Sequence, residues 1–153
     1  MGLASHANEI DAPLSGRIAQ GVHIFPVRVH WEDTDAGGIV YHASYLRFIE
    51  RGRSEMLRLL GLDQTILRAQ HGLNYVVKHL EIDYRIPAVF DMALKVATKV
   101  TRLGGASLDL HQTVYHDMTE LTVARVLCVG ISPSGKPLRA PDTVRAAFEP
   151  MLK

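Results

Sequence analysis

The stretch of the chain most suited to chemistry is an acidic turn that runs directly into a predicted helix. Asp33 and Asp35 lie in the turn, and His42 follows just before the periodic apolar run. The unpaired N–H groups and the dipole of a helix N-terminus stabilise negative charge. A carboxylate beside such a terminus suits acyl transfer, because the amides can hold a carbonyl oxygen as it becomes an oxyanion. The carboxylate can act as a general base on water or attack directly.

The same spacing leaves a structural alternative open. An Asp-rich turn ahead of a helix is commonly capping and turn chemistry. No serine sits in a nucleophile-elbow motif, so a carboxylate must do the chemistry if this stretch is catalytic. The eight histidines show no HExxH or similar ligand spacing, and the sequence therefore predicts no metal site.

Residues 44–60 are predicted to form one long helix, because apolar side chains recur near the 3.6-residue period. Ser44 is placed to cap its first turn, and Gly61 to end it. Gly52 lies in the middle, where glycine costs about 1 kcal/mol relative to alanine, and we expect another backbone to approach closely there. The predicted apolar stripe consists of Leu46, Ile49, Met56, Leu57 and Leu60.

The rest of the chain is predicted to be mostly sheet. A first strand is indicated by the alternating residues Phe25, Val27, Val29 and Trp31. Four later strands are predicted over 76–84, 94–100, 108–114 and 121–131. Asp63 is placed to cap a short second helix that ends at Gly72. One strand, a long helix and four strands in meander predict an α+β fold, in which an antiparallel sheet packs against one helix.

Composition limits the classes of protein that this chain can belong to. With 153 residues and 47% hydrophobic content, it is expected to be one globular domain. The aperiodic residues 1–22 are predicted to be a disordered leader, which leaves 23–153 as the domain. A net charge of +1 gives no general attraction to nucleic acid or membranes. The single cysteine, Cys128, excludes an internal disulfide and favours a reducing, cytoplasmic location.

One segment also resembles a known family. The run from Glu32 to Tyr45, EDTDAGGIVYHASY, closely resembles the signature of hotdog-fold acyl-CoA thioesterases. The similarity is to bacterial proteins associated with the Tol–Pal cell-envelope system and related to 4-hydroxybenzoyl-CoA thioesterase. It continues through the helix from Phe48 to Glu55, through Ile82 to Ala88, and to Lys136-Pro137. The resemblance implies a five-stranded antiparallel sheet wrapped around one long central helix.

The resemblance also implies roles for residues of the acidic turn. Asp35 falls at the position of the family's catalytic carboxylate. His42 falls at the first helical amide, whose N–H would polarise the thioester carbonyl, and its imidazole is also implicated in catalysis. Asp33 is expected to form the turn. Gly37 and Gly38 are expected to let the backbone pass close to the substrate.

Other expected substrate contacts are less closely tied to the motif. Tyr41 and Tyr45 are either packing residues or a wall of the substrate site. Some relatives have a tyrosine implicated in catalysis four positions before the aspartate, where this chain has Trp31. An indole can donate a hydrogen bond but has no phenolic hydroxyl. The residues expected along the pantetheine arm and the CoA phosphates are Ser107, Arg102, Lys136 and Arg139.

Together these features predict a hydrolase that converts an acyl-CoA thioester and water to a free acid and CoA. No metal or organic cofactor is expected, and an acyl-carrier-protein thioester would present the same pantetheine arm. The resemblance further implies homodimers or homotetramers with active sites at the subunit interface. Two alternatives are a hotdog hydratase or dehydratase and a non-catalytic interaction protein of the cell envelope.

Overall fold

The computed structural model describes residues 14–153. Within that range, one sheet is formed by β1 (Arg17–Ala19), β2 (Val22–Arg28), β3 (Asn74–Tyr84), β4 (Ala93–Leu103), β5 (Ser107–His116) and β6 (Thr119–Ile131). The α-helices are α1 (Ser44–Leu59), α2 (Gln64–His71) and α3 (Asp142–Ala147). Short 3₁₀ turns cover Trp31–Asp33 and Glu149–Met151. The predicted α+β arrangement, with an antiparallel sheet against a long helix, is confirmed.

The sheet has six strands where five were expected. The additional strand is β1, which pairs with β2 through a two-residue turn at Gln20 and Gly21. Both turn residues have positive φ, 51° and 74°, as the tight turns of hairpins require. The predicted leader of residues 1–22 is therefore wrong from Arg17 onward, because this segment pairs with the sheet. Residues 1–13 lie outside the described part of the chain.

The strands lie in the order β1-β2-β4-β5-β6-β3, and all neighbours are antiparallel. The predicted four-strand meander is correct for β4, β5 and β6 but wrong for β3, which pairs with β6. Alternation of apolar residues shows which face of a strand is buried, but it does not show which strand lies beside it. As a result β3 is an edge strand, and one side of its backbone has no partner strand among residues 14–153.

The central helix α1 packs on the inner face of the sheet, against β1, β2, β4 and β5. The stripe predicted from the sequence is confirmed for Ile49, Met56 and Leu57. It is wrong for Leu46, which is 38% exposed, because the buried face of the helix passes through Phe48 instead. The residues that α1 buries are Ser44, Tyr45, Phe48, Ile49, Gly52, Met56 and Leu57.

Gly52 lies where α1 packs tightly against the sheet. A Cβ atom at this position would lie 2.8 Å from Val96 Cγ1 and 3.4 Å from Gln112 Nε2. The expected close approach is therefore present, but the neighbours are side chains of β4 and β5 and not a backbone. Glycine in the helix lets α1 settle onto the sheet at this point.

The helix ends agree with the sequence predictions at three positions. Gly61 has φ of 73° just beyond α1, and Gly72 has φ of 60° just beyond α2. The Asp63 carboxylate accepts a hydrogen bond from the N–H of Ile66 at 3.1 Å and caps α2. No helix within residues 14–153 is both long and apolar enough to cross a membrane.

Replacing Gly52 by alanine should lower the free energy of unfolding by about 1–3 kcal/mol, the usual cost of overpacking a core. This result is expected although alanine is the better helix former by about 1 kcal/mol. Urea denaturation of the single variant, of Val96→Ala and of the double variant measures the coupling between the two positions. The cost of Gly52→Ala should shrink when Val96 is alanine, and an equal cost in both backgrounds would contradict this packing.

Candidate active site

Asp33 holds the turn that precedes α1. Its carboxylate, in a residue only 4% exposed, accepts a hydrogen bond from the N–H of His30 at 2.8 Å. Its carbonyl oxygen accepts from the N–H of Tyr41 at 2.8 Å and from the hydroxyl of Ser44 at 3.0 Å. Asp33 is thus a turn former. The prediction that Ser44 caps α1 is wrong, because Ala43 occupies the cap position and the Ser44 hydroxyl donates to the carbonyl of Asp33.

The turn presents Asp35 to solvent. One oxygen of its exposed carboxylate accepts from the N–H of Gly37 at 2.8 Å. The backbone closes around it, because the Asp35 N–H donates to Ile39 and the Asp35 carbonyl accepts from Gly38, both at 3.0 Å. Gly38 has φ of 81°, a conformation that favours glycine. The second carboxylate oxygen of Asp35 has no hydrogen-bond partner among residues 14–153 and is available to a ligand.

The start of α1 offers two free backbone donors. The N–H groups of His42 and Ala43 have no hydrogen-bond acceptor within the described residues. The carbonyl of His42 accepts a hydrogen bond from the hydroxyl of Tyr84 at 2.8 Å, which ties the residues just before α1 to the end of β3. Free amides at a helix N-terminus are the groups that stabilise an oxyanion.

Asp35 and His42 line the same cavity, which we call the Asp35 cavity. It has a volume of about 350 Å³ and lies between the acidic turn, the start of α1 and the end of β3. Most of its walls are apolar or aromatic, with few polar groups, as is usual for small-molecule sites. Its lining residues are Asp35, Ile39, Val40, His42, Tyr45, Tyr84, Arg85, Ile86 and Pro87.

The aromatic residues singled out in the sequence take different positions. Tyr45 lines the cavity but is 2% exposed, and its hydroxyl accepts from the N–H of Ala88 at 2.9 Å. Burial raises the pKa of Tyr45 above its ordinary value, so its hydroxyl stays protonated. The Tyr41 ring is partly exposed and lies with its centroid 4.5 Å from that of His42.

Trp31 does not lie where the sequence pattern placed it. β2 ends at Arg28, and Trp31 begins a 3₁₀ turn with its side chain 77% exposed. Its ring lies over Phe90, with centroids 4.4 Å apart, and it does not line the Asp35 cavity. The prediction missed Tyr84, which does line the cavity. Tyr84 was part of the quoted resemblance, but only the fold brings it to His42.

The four residues expected at the CoA end lie apart from the Asp35 cavity of the same chain. Ser107 begins β5, and its carbonyl accepts from Gly104 at 2.9 Å. The Arg139 guanidinium lies over this β4–β5 turn, where a Cβ on Gly105 would be 3.1 Å from its Nη1 atom. Arg102 is exposed near the end of β4, and Lys136 is exposed in the turn after β6.

The sequence analysis missed a further cation at the β4–β5 turn. Arg145 of α3 donates a hydrogen bond from Nη1 to the carbonyl of Gly104 at 2.6 Å. The structure therefore brings Arg139 and Arg145 to the same turn as Ser107. Residues 14–153 contain no group of three His, Cys, Asp or Glu side chains arranged to hold a metal ion.

Comparison with known proteins identifies the family to which this chain belongs. The sequence profile described as "Thioesterase-like superfamily" matches residues 29–148, which include the acidic turn, α1 and all strands from β3 to β6. The chain belongs to the thioesterase-like superfamily. Its fold is the α+β hotdog fold of that superfamily, with six strands and not the five expected.

Relatives within the thioesterase-like superfamily match most of the chain. It is 45% identical over 126 residues to "Acyl-CoA thioesterase YbgC" of Haemophilus influenzae, across 81% of this chain and 92% of that protein. It is 42% identical over 127 residues to "Acyl-CoA thioester hydrolase YbgC" of Escherichia coli, across 82% and 94%. The crystal structure of a probable thioesterase from Bartonella henselae is 42% identical, with a TM-score of 0.76, across 78% of this chain and 99% of that one.

The two aspartates of the turn should differ in their effect on stability. Asp33→Ala is expected to lower the free energy of unfolding by about 1–3 kcal/mol, because it removes the buried carboxylate that accepts the partly buried hydrogen bond from the N–H of His30. Asp35→Ala should cost less than about 1 kcal/mol, since its one hydrogen bond is exposed. Chemical denaturation of both variants checks this. A larger loss for Asp35→Ala than for Asp33→Ala would contradict the division of roles.

Proposed function

We propose that the chain hydrolyses acyl-CoA thioesters, with Asp35 as the catalytic carboxylate and the start of α1 as the oxyanion site. The observation that carries this proposal is the combination found in one cavity. Asp35, with one carboxylate oxygen that has no partner within residues 14–153, and His42, whose backbone N–H is likewise unpaired there, line the same space. The N–H of Ala43, at the next position along the chain, is also unpaired within those residues. The activity named for the Haemophilus influenzae and Escherichia coli relatives, at 45% and 42% identity, supports the same reaction.

Thioester hydrolysis needs a nucleophile that attacks the carbonyl carbon and hydrogen-bond donors that stabilise the carbonyl oxygen. The thioester carbonyl oxygen accepts hydrogen bonds from the N–H groups of His42 and Ala43, which stabilise the negative charge that develops on it. Asp35 takes a proton from water as the water oxygen bonds to the carbonyl carbon, or Asp35 bonds to that carbon itself. The carbon–sulfur bond then breaks. The sulfur leaves as a thiolate and takes up a proton to become the free thiol of CoA. In the first route the acid is released directly; in the second the acyl group stays on Asp35 as a mixed anhydride, which water hydrolyses to the acid and the free carboxylate of Asp35.

His42 supplies more than a backbone donor in this proposal. Its carbonyl accepts a hydrogen bond from Tyr84, which fixes the residues just before α1 beside Asp35. Its imidazole is exposed next to Tyr41, so it can exchange protons with solvent. An imidazole can both accept and donate a proton, so it is suited to return a proton to the leaving thiolate.

We propose that two copies pair through the free edge of β3. This strand is eleven residues long, and its exposed side chains include Val76, Val77 and Tyr84. A long edge strand with apolar residues favours pairing with another strand. Antiparallel pairing of β3 with its own copy needs a two-fold axis, which is the commonest symmetry of homo-oligomers.

Such a dimer accounts for the distance between the two ends of the predicted substrate site. The basic groups at the β4–β5 turn do not line the Asp35 cavity of their own chain. In the proposed dimer, Arg139, Arg145 and Lys136 serve the cavity of the partner subunit and contact the phosphates of CoA there. Guanidinium groups are suited to that task, because they bind phosphate in a bidentate manner.

The test is thiol release from a panel of short, long and aromatic acyl-CoA thioesters. Wild type should turn over some of them, and Asp35→Asn should lose at least about 100-fold in kcat, the scale of a lost catalytic base. Glu32→Gln is the matched control, since Glu32 is an exposed carboxylate three residues away and should retain activity.

Each outcome of this experiment is decisive. An inert wild type on every thioester would overturn the proposed activity. An active wild type with an equally active Asp35→Asn would keep the reaction but remove Asp35 from it. In that case His42→Ala becomes the variant to compare.

A further inference from the structure

A second cavity lies beside α1, and the reaction described above leaves it without a function. We call it the Arg53 cavity; it has a volume of about 230 Å³ and lies between α1, α2 and the inner face of β3, β5 and β6. Its volume is below the range of about 300–1,000 Å³ for drug-sized ligands, which favours a short chain. Its lining residues are Glu50, Arg53, Ser54, Met56, Leu57, Gln64, Tyr75, Val77, Leu108, Leu110 and Cys128.

The guanidinium of Arg53 is fixed at the inner side of this cavity. Its Nη1 atom donates to Gln112 Oε1 at 3.0 Å. Gln112 is fully buried, and its amide nitrogen donates to the carbonyl of Ile49 and to the hydroxyl of Thr98, both at 2.9 Å. Because Gln112 is itself held by the bonds to Ile49 and Thr98, it keeps the guanidinium of Arg53 in one orientation.

Most of the donors of Arg53 remain unused. A guanidinium has five N–H donors, and only the bond to Gln112 engages one of them within residues 14–153. Burial lowers the pKa of Arg53 from its ordinary value, because its charge is partly removed from water. Arginine nevertheless stays charged at neutral pH. The cavity therefore contains a desolvated positive charge with free donors.

The Glu50 carboxylate, the other charge in the lining, offsets the positive charge of Arg53 only in part, although it is near enough to raise the pKa of Arg53. Glu50 is exposed, and its carboxylate accepts a hydrogen bond from the hydroxyl of Ser54 at 3.0 Å. Charges in water are screened over short distances, whereas buried charges are screened much less. The interior of the cavity is thus effectively positive, while its remaining walls are mostly apolar.

The proposed dimer brings this cavity to the reacting centre of the other subunit. Tyr75 and Val77 of the Arg53 cavity lie near the start of β3, and Tyr84 of the Asp35 cavity lies at its end. A two-fold axis near the middle of an antiparallel β3 pair sets the start of one strand beside the end of the other. The Arg53 cavity then adjoins the Asp35 cavity of the partner subunit.

We infer that the Arg53 cavity receives the far end of the acyl group and selects short acyl chains that end in a carboxylate. This inference rests on the proposed thioesterase function and on the β3 pairing. A carboxylate can bind the unused donors of Arg53 in a bidentate manner. A plain hydrocarbon chain would displace water from the guanidinium and give no hydrogen bond in return.

The experiment compares kcat/KM for matched pairs of thioesters: glutaryl-CoA against pentanoyl-CoA, and adipyl-CoA against hexanoyl-CoA. Wild type should favour the carboxylated member, and Arg53→Met should reduce the ratio at least tenfold. Arg51→Met is the matched control, because Arg51 is exposed on the same helix and its removal should leave the ratio unchanged. Arg53→Lys, which keeps the charge but not the bidentate geometry, should give an intermediate ratio.

A second variant keeps the test informative if Arg53→Met does not fold. Glu50→Gln removes an exposed negative charge from the cavity and should raise the ratio for the carboxylated substrates. A ratio at or below one in wild type, or one that neither variant changes, would overturn the inference while thioester turnover stands. If wild type turns over no thioester, the proposed function fails separately. Calorimetric binding of glutaryl-CoA and pentanoyl-CoA to wild type and Arg53→Met then decides the role of Arg53.

Discussion

The site depends on the hydrogen bonds of Asp33. Its buried carboxylate holds the N–H of His30, and its carbonyl holds Tyr41 and Ser44, so that one residue fixes both ends of the turn. With these ends fixed, the backbone between them closes into a tight loop that directs Asp35 outward. The start of α1 is held beside that loop with two amide donors free. The carboxylate that we propose as catalytic is therefore placed by a neighbour two residues away.

The position of α1 is the second constraint. Gly52 lets the helix settle against Val96, and the buried amide of Gln112 bonds both to the backbone of α1 at Ile49 and to Arg53. These contacts join the middle of the helix to β4 and β5. The hydroxyl of Tyr84 holds the carbonyl of His42, just before the helix begins. Packing and polar contacts thus set where the N-terminus lies relative to the β3 edge. The same buried network that positions the helix also orients the guanidinium of the second cavity.

Local features of the structure were readable from the sequence, whereas long-range contacts were not. Asp35, His42, the span of the long helix and the ends at Gly61, Asp63 and Gly72 follow from periodicity, capping chemistry and a specific motif. The strand that pairs with β3 could not be predicted, since the alternation of apolar residues shows which face of a strand is buried but not which strand lies beside it. The strand at Arg17 is too short to give a periodic signal. The contacts of Tyr84 and Arg145 join positions about 40 residues apart in sequence, so only the fold brings them together.

The central claim is that the free amides at the start of α1 and the Asp35 carboxylate act on the same carbonyl group. A crystal structure of Asp35→Asn with an acyl-CoA thioester bound tests it most directly, because the variant should hold the substrate without turning it over. We predict that the carbonyl oxygen lies within about 3.1 Å of the backbone nitrogen of His42 or Ala43, with the residue 35 side chain beside the carbonyl carbon. A carbonyl oxygen directed away from the helix start, with both amides bonded elsewhere, would contradict it.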